Sequence, residues 1–212
     1  KFSISPDGFE IAISDGKTTT IENVSANGVL RQVRTAVRSF SFDSANNLWM
    51  TMPDGSLQVS MANGDLVQVS GLDGLRVEKI AINPDGVQVA LLVSTSNGPQ
   101  LRMGYIYRNG SAITIQNIKR VERLLGDILD LDWGLYSQLL ILARSQNTEP
   151  LLYQLSGAAF EPSVITSPIS FTRISVAPGQ PILAEDENGG IWAYQAGQWR
   201  FTELATGARF ID

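Results

Sequence analysis

Asp127, Asp130 and Asp132 stand close together in the chain, and carboxylates so grouped are the tools of glycoside hydrolysis, one as general acid and one as base. If Asp130 and Asp132 share a strand, they project to the same side, where such a pair would have to work. That reading describes an inverting glycosidase acting on cell-wall polysaccharide, with Asp132 in its carboxylate set and hydrolysis lost in Asp132→Asn. A solvated strand entry beside Arg123 accounts for the same residues more simply and is favoured.

Glu185-Asp186-Glu187-Asn188-Gly189-Gly190 offers the oxygen ligands a hard cation takes, but it lacks the spacing of a calcium loop, and a charged hairpin tip is the better reading. Trp49, Trp133, Trp192 and Trp199 could stack sugars, and a lectin would use Trp192 or Trp199. All four fall within or beside strand-like sequence, which favours packing. Arg31, Arg34 and Arg38 form a small basic run that is either a docking spot or an exposed strand edge guarded by charge, the edge being favoured. With Asp85, in the loop after Pro84, these arginines are the interaction candidates. No catalytic, cofactor-binding or metal-ligating residue is assigned.

The absences are as informative. The 212 residues contain neither cysteine nor histidine, which excludes disulfides, Cys/His zinc sites and Ser-His-Asp or Cys-His nucleophilic catalysis within them. Sixteen Lys and Arg against 21 Asp and Glu leave a net charge of −5. That balance argues against sequence-independent binding to nucleic acid or anionic lipid. No apolar run reaches the roughly 20 residues of a membrane helix.

The elements that must position these residues read as strands. Apolar residues recur at period two or in short solid runs, and helical periodicity is confined to Val121 to Leu131. Turn signals punctuate the chain, above all Pro6-Asp7-Gly8, Pro53-Asp54-Gly55 and Pro84-Asp85-Gly86, in which Pro presets a type I turn and Gly takes the left-handed position that closes it. The stretch SISPDGFEIAIS at Ser3 returns as INPDGVQVALLV at Ile82. Apolar anchors before such turns lie at Ile4, Phe42, Ile82, Leu131 and Val176, each followed by a second strand, with two further strands in each unit. Quartets of strands at about 40 residues are the period of β-propeller blades. The expectation is an all-β chain forming one β-propeller domain of five four-stranded blades, approximately 1–37, 38–75, 76–125, 126–170 and 171–212.

Several stretches, taken in order, carry a resemblance to the β-propeller domain of the actinobacterial LpqB lipoproteins: Ile80 to Leu91, Ile128 to Trp133 leading to Gln138–Arg144, Glu149 to Tyr153, Val176 to Ala184, and Gly190-Ile191-Trp192 followed by Gln198-Trp199. The resemblance implies a non-enzymatic interaction domain without a cofactor. Its partner would be the extracytoplasmic sensor region of an MtrB-like histidine kinase of a two-component system. It also implies a place on the outer face of the cytoplasmic membrane, held by a lipid on an N-terminal cysteine outside this segment.

Overall fold

The turn chemistry is realised in the computed structural model, which describes residues 2–15, 17–23, 28–33, 36–121, 126–134, 138–145, 148–156, 161–176 and 181–202. Gly8, Gly55 and Gly86 have φ of 77°, 87° and 69°, and their amides donate to the carbonyls of Ser5, Met52 and Asn83 at 2.9, 2.9 and 2.7 Å. Asp7, Asp54 and Asp85 each accept the amide two residues on, from Phe9, Ser56 and Val87, at 3.0, 2.9 and 2.8 Å. The aspartate therefore closes its own turn from the side, as Asx turns do.

The chain divides into two compact units, Lys1–Arg120 and Val121–Ile211. In the first, β1 (Phe2–Ile4), β2 (Glu10–Ser14), β3 (Thr19–Asn23) and β4 (Gly28–Val33) form an antiparallel sheet in chain order. The strands β5 (Ser39–Phe42), β6 (Leu48–Thr51), β7 (Leu57–Ser60) and β8 (Leu66–Ser70) repeat the meander. So do β9 (Arg76–Ile82), β10 (Gln88–Thr95), β11 (Gly98–Asn109) and β12 (Ala112–Arg120). These two quartets share one eight-stranded sheet, because β8 and β12 pair in parallel at Val69/Ile113 and Ser70/Thr114. Gly71 makes that junction possible, since a Cβ there would lie 2.1 Å from the Ile115 carbonyl oxygen.

In the second unit, β13 (Asp127–Trp133), β14 (Leu139–Arg144), β15 (Leu151–Ser156) and β16 (Glu161–Ile165) form one antiparallel sheet. A further sheet holds β17 (Phe171–Ser175), β18 (Ile182–Asp186), β19 (Ile191–Gln195) and β20 (Gln198–Phe201). Valine, isoleucine and leucine fill the strands, and their inward faces meet between successive sheets. Ala12 and Ile21 pack with Phe42, Leu48 and Met50; Trp49, Leu57 and Val59 pack with Ile80, Val89 and Ile115; Leu140 and Leu152 pack with Phe171 and Ile174.

The strand expected around Leu131 is present as part of β13, despite the helical spacing that runs through Val121 to Leu131. A bulge between Ile128 and Asp130 breaks the alternation, and residues 122–125 lie outside the described residues. The anchor of that unit is Trp133 rather than Leu131. Asp43 and Gly134 occupy the same place at the turn, their amides donating to Asn47 and Gln138 carbonyls at 3.0 and 2.7 Å. Leu131 and Trp133 are both buried and stand two residues apart on one face of β13, so the alternation fits either as the anchor.

Candidate functional site

The polar groups that could carry chemistry are engaged inside the sheets. Asp43 follows β5 and is 1% exposed. Its carboxylate accepts the Ala45 and Asn47 amides at 2.9 and 3.0 Å, the Asn47 side-chain nitrogen, and the Trp49 indole at 3.0 Å. Arg108 on β11 adds a bond from Nη2 at 2.9 Å, while its Nη1 donates to the Gly86 carbonyl at 2.7 Å. The guanidinium also lies 5.8 Å from the Trp49 ring centre. One buried carboxylate thus ties the turn after β5 to β11, in the next quartet of the same eight-stranded sheet.

The same device recurs in the second unit. Asp186 ends β18 and accepts the Asn188 and Gly190 amides at 2.8 Å each and the Trp192 indole at 3.0 Å. In both cases the indole is six residues beyond the aspartate. The segment from Glu185 to Gly190 is therefore a hairpin, closed by the Gly189 amide on the Asp186 carbonyl at 3.0 Å, and its central carboxylate points back onto Trp192. Among the described residues no group of three or more acidic side chains could hold a metal ion.

Burial raises the Asp186 pKa, but the Trp192 indole and the Gly190 and Asn188 amides outweigh it and hold the group below its ordinary 3.8. A carboxylate whose folded pKa is depressed stabilises the fold above the unfolded pKa, and that contribution is lost as pH falls through the folded value. Stability is thus expected to drop on acidification below about pH 4. In Asp186→Asn the drop is expected to be shallower, as read from urea midpoints between pH 6 and pH 3.

Asp130 and Asp132 do project to one side of one strand. What they meet is backbone: Asp130 accepts the Ile174 amide at 2.9 Å and Asp132 accepts the Val176 amide at 2.9 Å. Each also accepts the amide of its following residue, Leu131 at 2.9 Å and Trp133 at 2.8 Å. Asp130 is 5% exposed. The first unit uses serine for the same task, with Ser39 and Ser41 accepting the Ile80 and Ile82 amides at 3.4 and 3.3 Å. These side chains bridge the first strands of successive quartets, β5 to β9 and β13 to β17. Arg123 lies outside the described residues.

Both described arginines of the run, Arg31 and Arg38, are ion-paired. Arg31 on β4 turns inward, its side chain 10% exposed, and pairs with Glu10 at 2.6 Å. Its guanidinium also donates to the carbonyls of Met61, Ser60 and Asn46 at 2.6, 3.0 and 3.1 Å. The expectation of an exposed edge or docking spot at Arg31 is corrected on that ground. Arg38 forms an ion pair with Glu78, which also pairs with Arg76 at 3.3 Å. Arg34 lies outside the described residues. Asp85 is exposed at a hairpin tip, with its carboxylate on the Val87 amide.

The indoles are packed likewise. Trp49 and Trp133 are 0% and 3% exposed. Trp192 meets Phe201 edge-on at 5.5 Å. Trp199 lies 4.5 Å from Phe171 and 5.1 Å from Tyr194, and its indole donates to the Thr166 carbonyl at 3.0 Å. What the surface does offer is apolar. Ile4, Ile13 and Val29 are 51%, 37% and 60% exposed. They share one face of the first sheet, where Ile4, Ile11, Glu22 and Val29 stand opposite one another across successive strands.

A family model for the lipoprotein LpqB β-propeller domain matches residues 1–209. The chain belongs to the LpqB β-propeller family. Relatives named lipoprotein LpqB are 27% identical over 128 residues in Thermobifida fusca and 24% identical over 175 residues in Streptomyces avermitilis. The matched segments cover 59% and 76% of this chain but 20% and 28% of those proteins, so the chain spans a small part of the relatives it matches. Among solved structures, the Cps50 (Swd1) β-propeller domain of Myceliophteria thermophila superposes with a TM-score of 0.63 at 14% identity, over 98% of this chain and 85% of that one. The Kuenenia stuttgartiensis hydrazine synthase superposes at 0.55 and 10% identity, over 91% and 75%. At such identities the likeness speaks to fold alone, and the LpqB-type chain is a β-propeller built of four-stranded blades.

The sequence reading missed Asp43 and Arg108. The six-residue Asp-to-Trp spacing, present twice, was a legible signal for the first; nothing local marks Arg108 as its partner.

Proposed function

We propose that this LpqB-type propeller is a non-catalytic protein-interaction platform of a cell-envelope lipoprotein, lipid-anchored at the outer face of the cytoplasmic membrane. Its partner is the extracytoplasmic sensor region of an MtrB-like histidine kinase, whose output it modulates in cell-wall homeostasis. Membership of the LpqB family across residues 1–209 carries this reading. Two features of the molecule support it. Asp43, Asp130, Asp132 and Asp186 hold turns and strands, which leaves them poorly placed to exchange protons with a substrate. The exposed side chains Ile4, Ile13 and Val29, which share a face of the first sheet with Glu22, have the character of a protein interface.

Calorimetry of the 212-residue chain against the cognate sensor region, at moderate salt, tests the proposal, with a glycan array alongside. Saturable one-to-one binding is expected, weakened about tenfold by Val29→Glu with an unchanged urea midpoint. Absence of sensor binding together with a clear glycan signal overturns it.

A further inference from the structure

Arg102 on β11 and Arg120 on β12 stand directly opposite each other. Like charges so placed on a sheet repel and destabilise the pair of strands. Neither has a carboxylate partner among the described residues. Arg102 Nη2 reaches only the Gln100 side-chain oxygen, at 3.5 Å, and its Nε is buried with no hydrogen-bond partner.

The backbone is shaped to bring the two together. Met103 pairs with Lys119, but Tyr105 pairs with Gln116, so β12 carries one extra residue between them. Asn117, at φ 52°, sits in that bulge in the left-handed region that asparagine tolerates. Ile113 and Ile115 face the core before the bulge, and Ile118 faces it after. The bulge therefore re-aims Arg120 to the side that Arg102 occupies; in regular alternation it would face the other way. Across the same row Arg102 is followed by Leu91 and Ile80, which are 0% and 1% exposed. The arginine pair thus lies where an apolar core meets solvent, with Arg102 half-buried and Arg120 exposed.

We propose that Arg102 and Arg120 form an oxyanion clamp whose ligand is a phosphoryl group. Two guanidinium groups supply two positive charges and several N–H donors, which suit the charge and the acceptor oxygens of a phosphate dianion. A bound phosphoryl group would relieve the repulsion between the strands.

The test is titration of the isotope-labelled 212-residue chain with inorganic phosphate, glycerol phosphate and acetate at constant ionic strength, following the arginine Nε–H resonances. A saturable shift at Arg102 is expected with phosphate or glycerol phosphate, and the tighter of the two identifies free phosphate or a phosphoester as the source. Arg120→Gln is expected to weaken it about tenfold or more, while Arg200→Gln leaves it unchanged; urea midpoints establish that both variants are folded. Absence of a saturable shift, an equal response to acetate, or undiminished binding in Arg120→Gln overturns the assignment.

Discussion

Asp43→Ala is expected to destabilise the first unit by about 3 kcal/mol, because it strands several donors in the interior at once. The indole of Trp49, the side-chain amide of Asn47 and the backbone amides of Ala45 and Asn47 all converge on this carboxylate, which is 1% exposed. The Arg108 end of the network is 37% exposed, so its ion pair contributes less than the buried bonds do, being partly screened. Asp43→Asn preserves shape and one acceptor but turns a donor toward other donors, and a smaller loss of about 1–2 kcal/mol is expected. Urea denaturation followed by tryptophan fluorescence reads both losses as lower midpoints at unchanged slope. An Asp43→Ala midpoint equal to wild type would mean the network is incidental to the fold.

How much of this arrangement a reader of the sequence could reach depends on how far apart its parts lie. Pro6-Asp7-Gly8 and Pro84-Asp85-Gly86 are self-contained, since the proline, the Asx bond and the left-handed glycine all act within five residues; the turns and the strand quartets followed from them. The spacing of Asp43 to Trp49 is local too and its repetition at Asp186 and Trp192 was available to be read. The anchor was placed at Leu131 instead of Trp133 because both are buried on the same face of β13 and the period of two fits either. The parallel join of β8 to β12 brings Ser70 against Thr114, 44 residues away, and no pattern in either strand announces it. Asp130 and Asp132 were assigned to one strand side correctly, yet the amides they serve, at Ile174 and Val176, are 44 residues on. Side chains whose partners are backbone atoms of a distant strand leave no compositional trace, and at those positions charge was read as surface.

Arg31 is the sharpest instance of that misreading, and its removal is the second large effect expected. Arg31→Ala should cost about 3 kcal/mol, the value typical of breaking a buried pair whose other member stays charged. Glu10 is only 17% exposed and Arg31 10%, so the carboxylate left behind cannot recover its hydration. The Ser60, Met61 and Asn46 carbonyls lose a donor at the same time, and these come from the second sheet, whereas Glu10 and Arg31 belong to the first. The guanidinium therefore acts as a bolt between sheets, using its planar fork in a way lysine cannot reproduce. Arg31→Lys is expected to recover part of the charge but little of the loss. The double variant Arg31→Met with Glu10→Gln should be less destabilised than the two single losses added, by about 1–2 kcal/mol, because the second change removes the charge orphaned by the first. A urea midpoint for Arg31→Ala within experimental error of wild type would return Arg31 to the accessible surface and restore it as a docking residue.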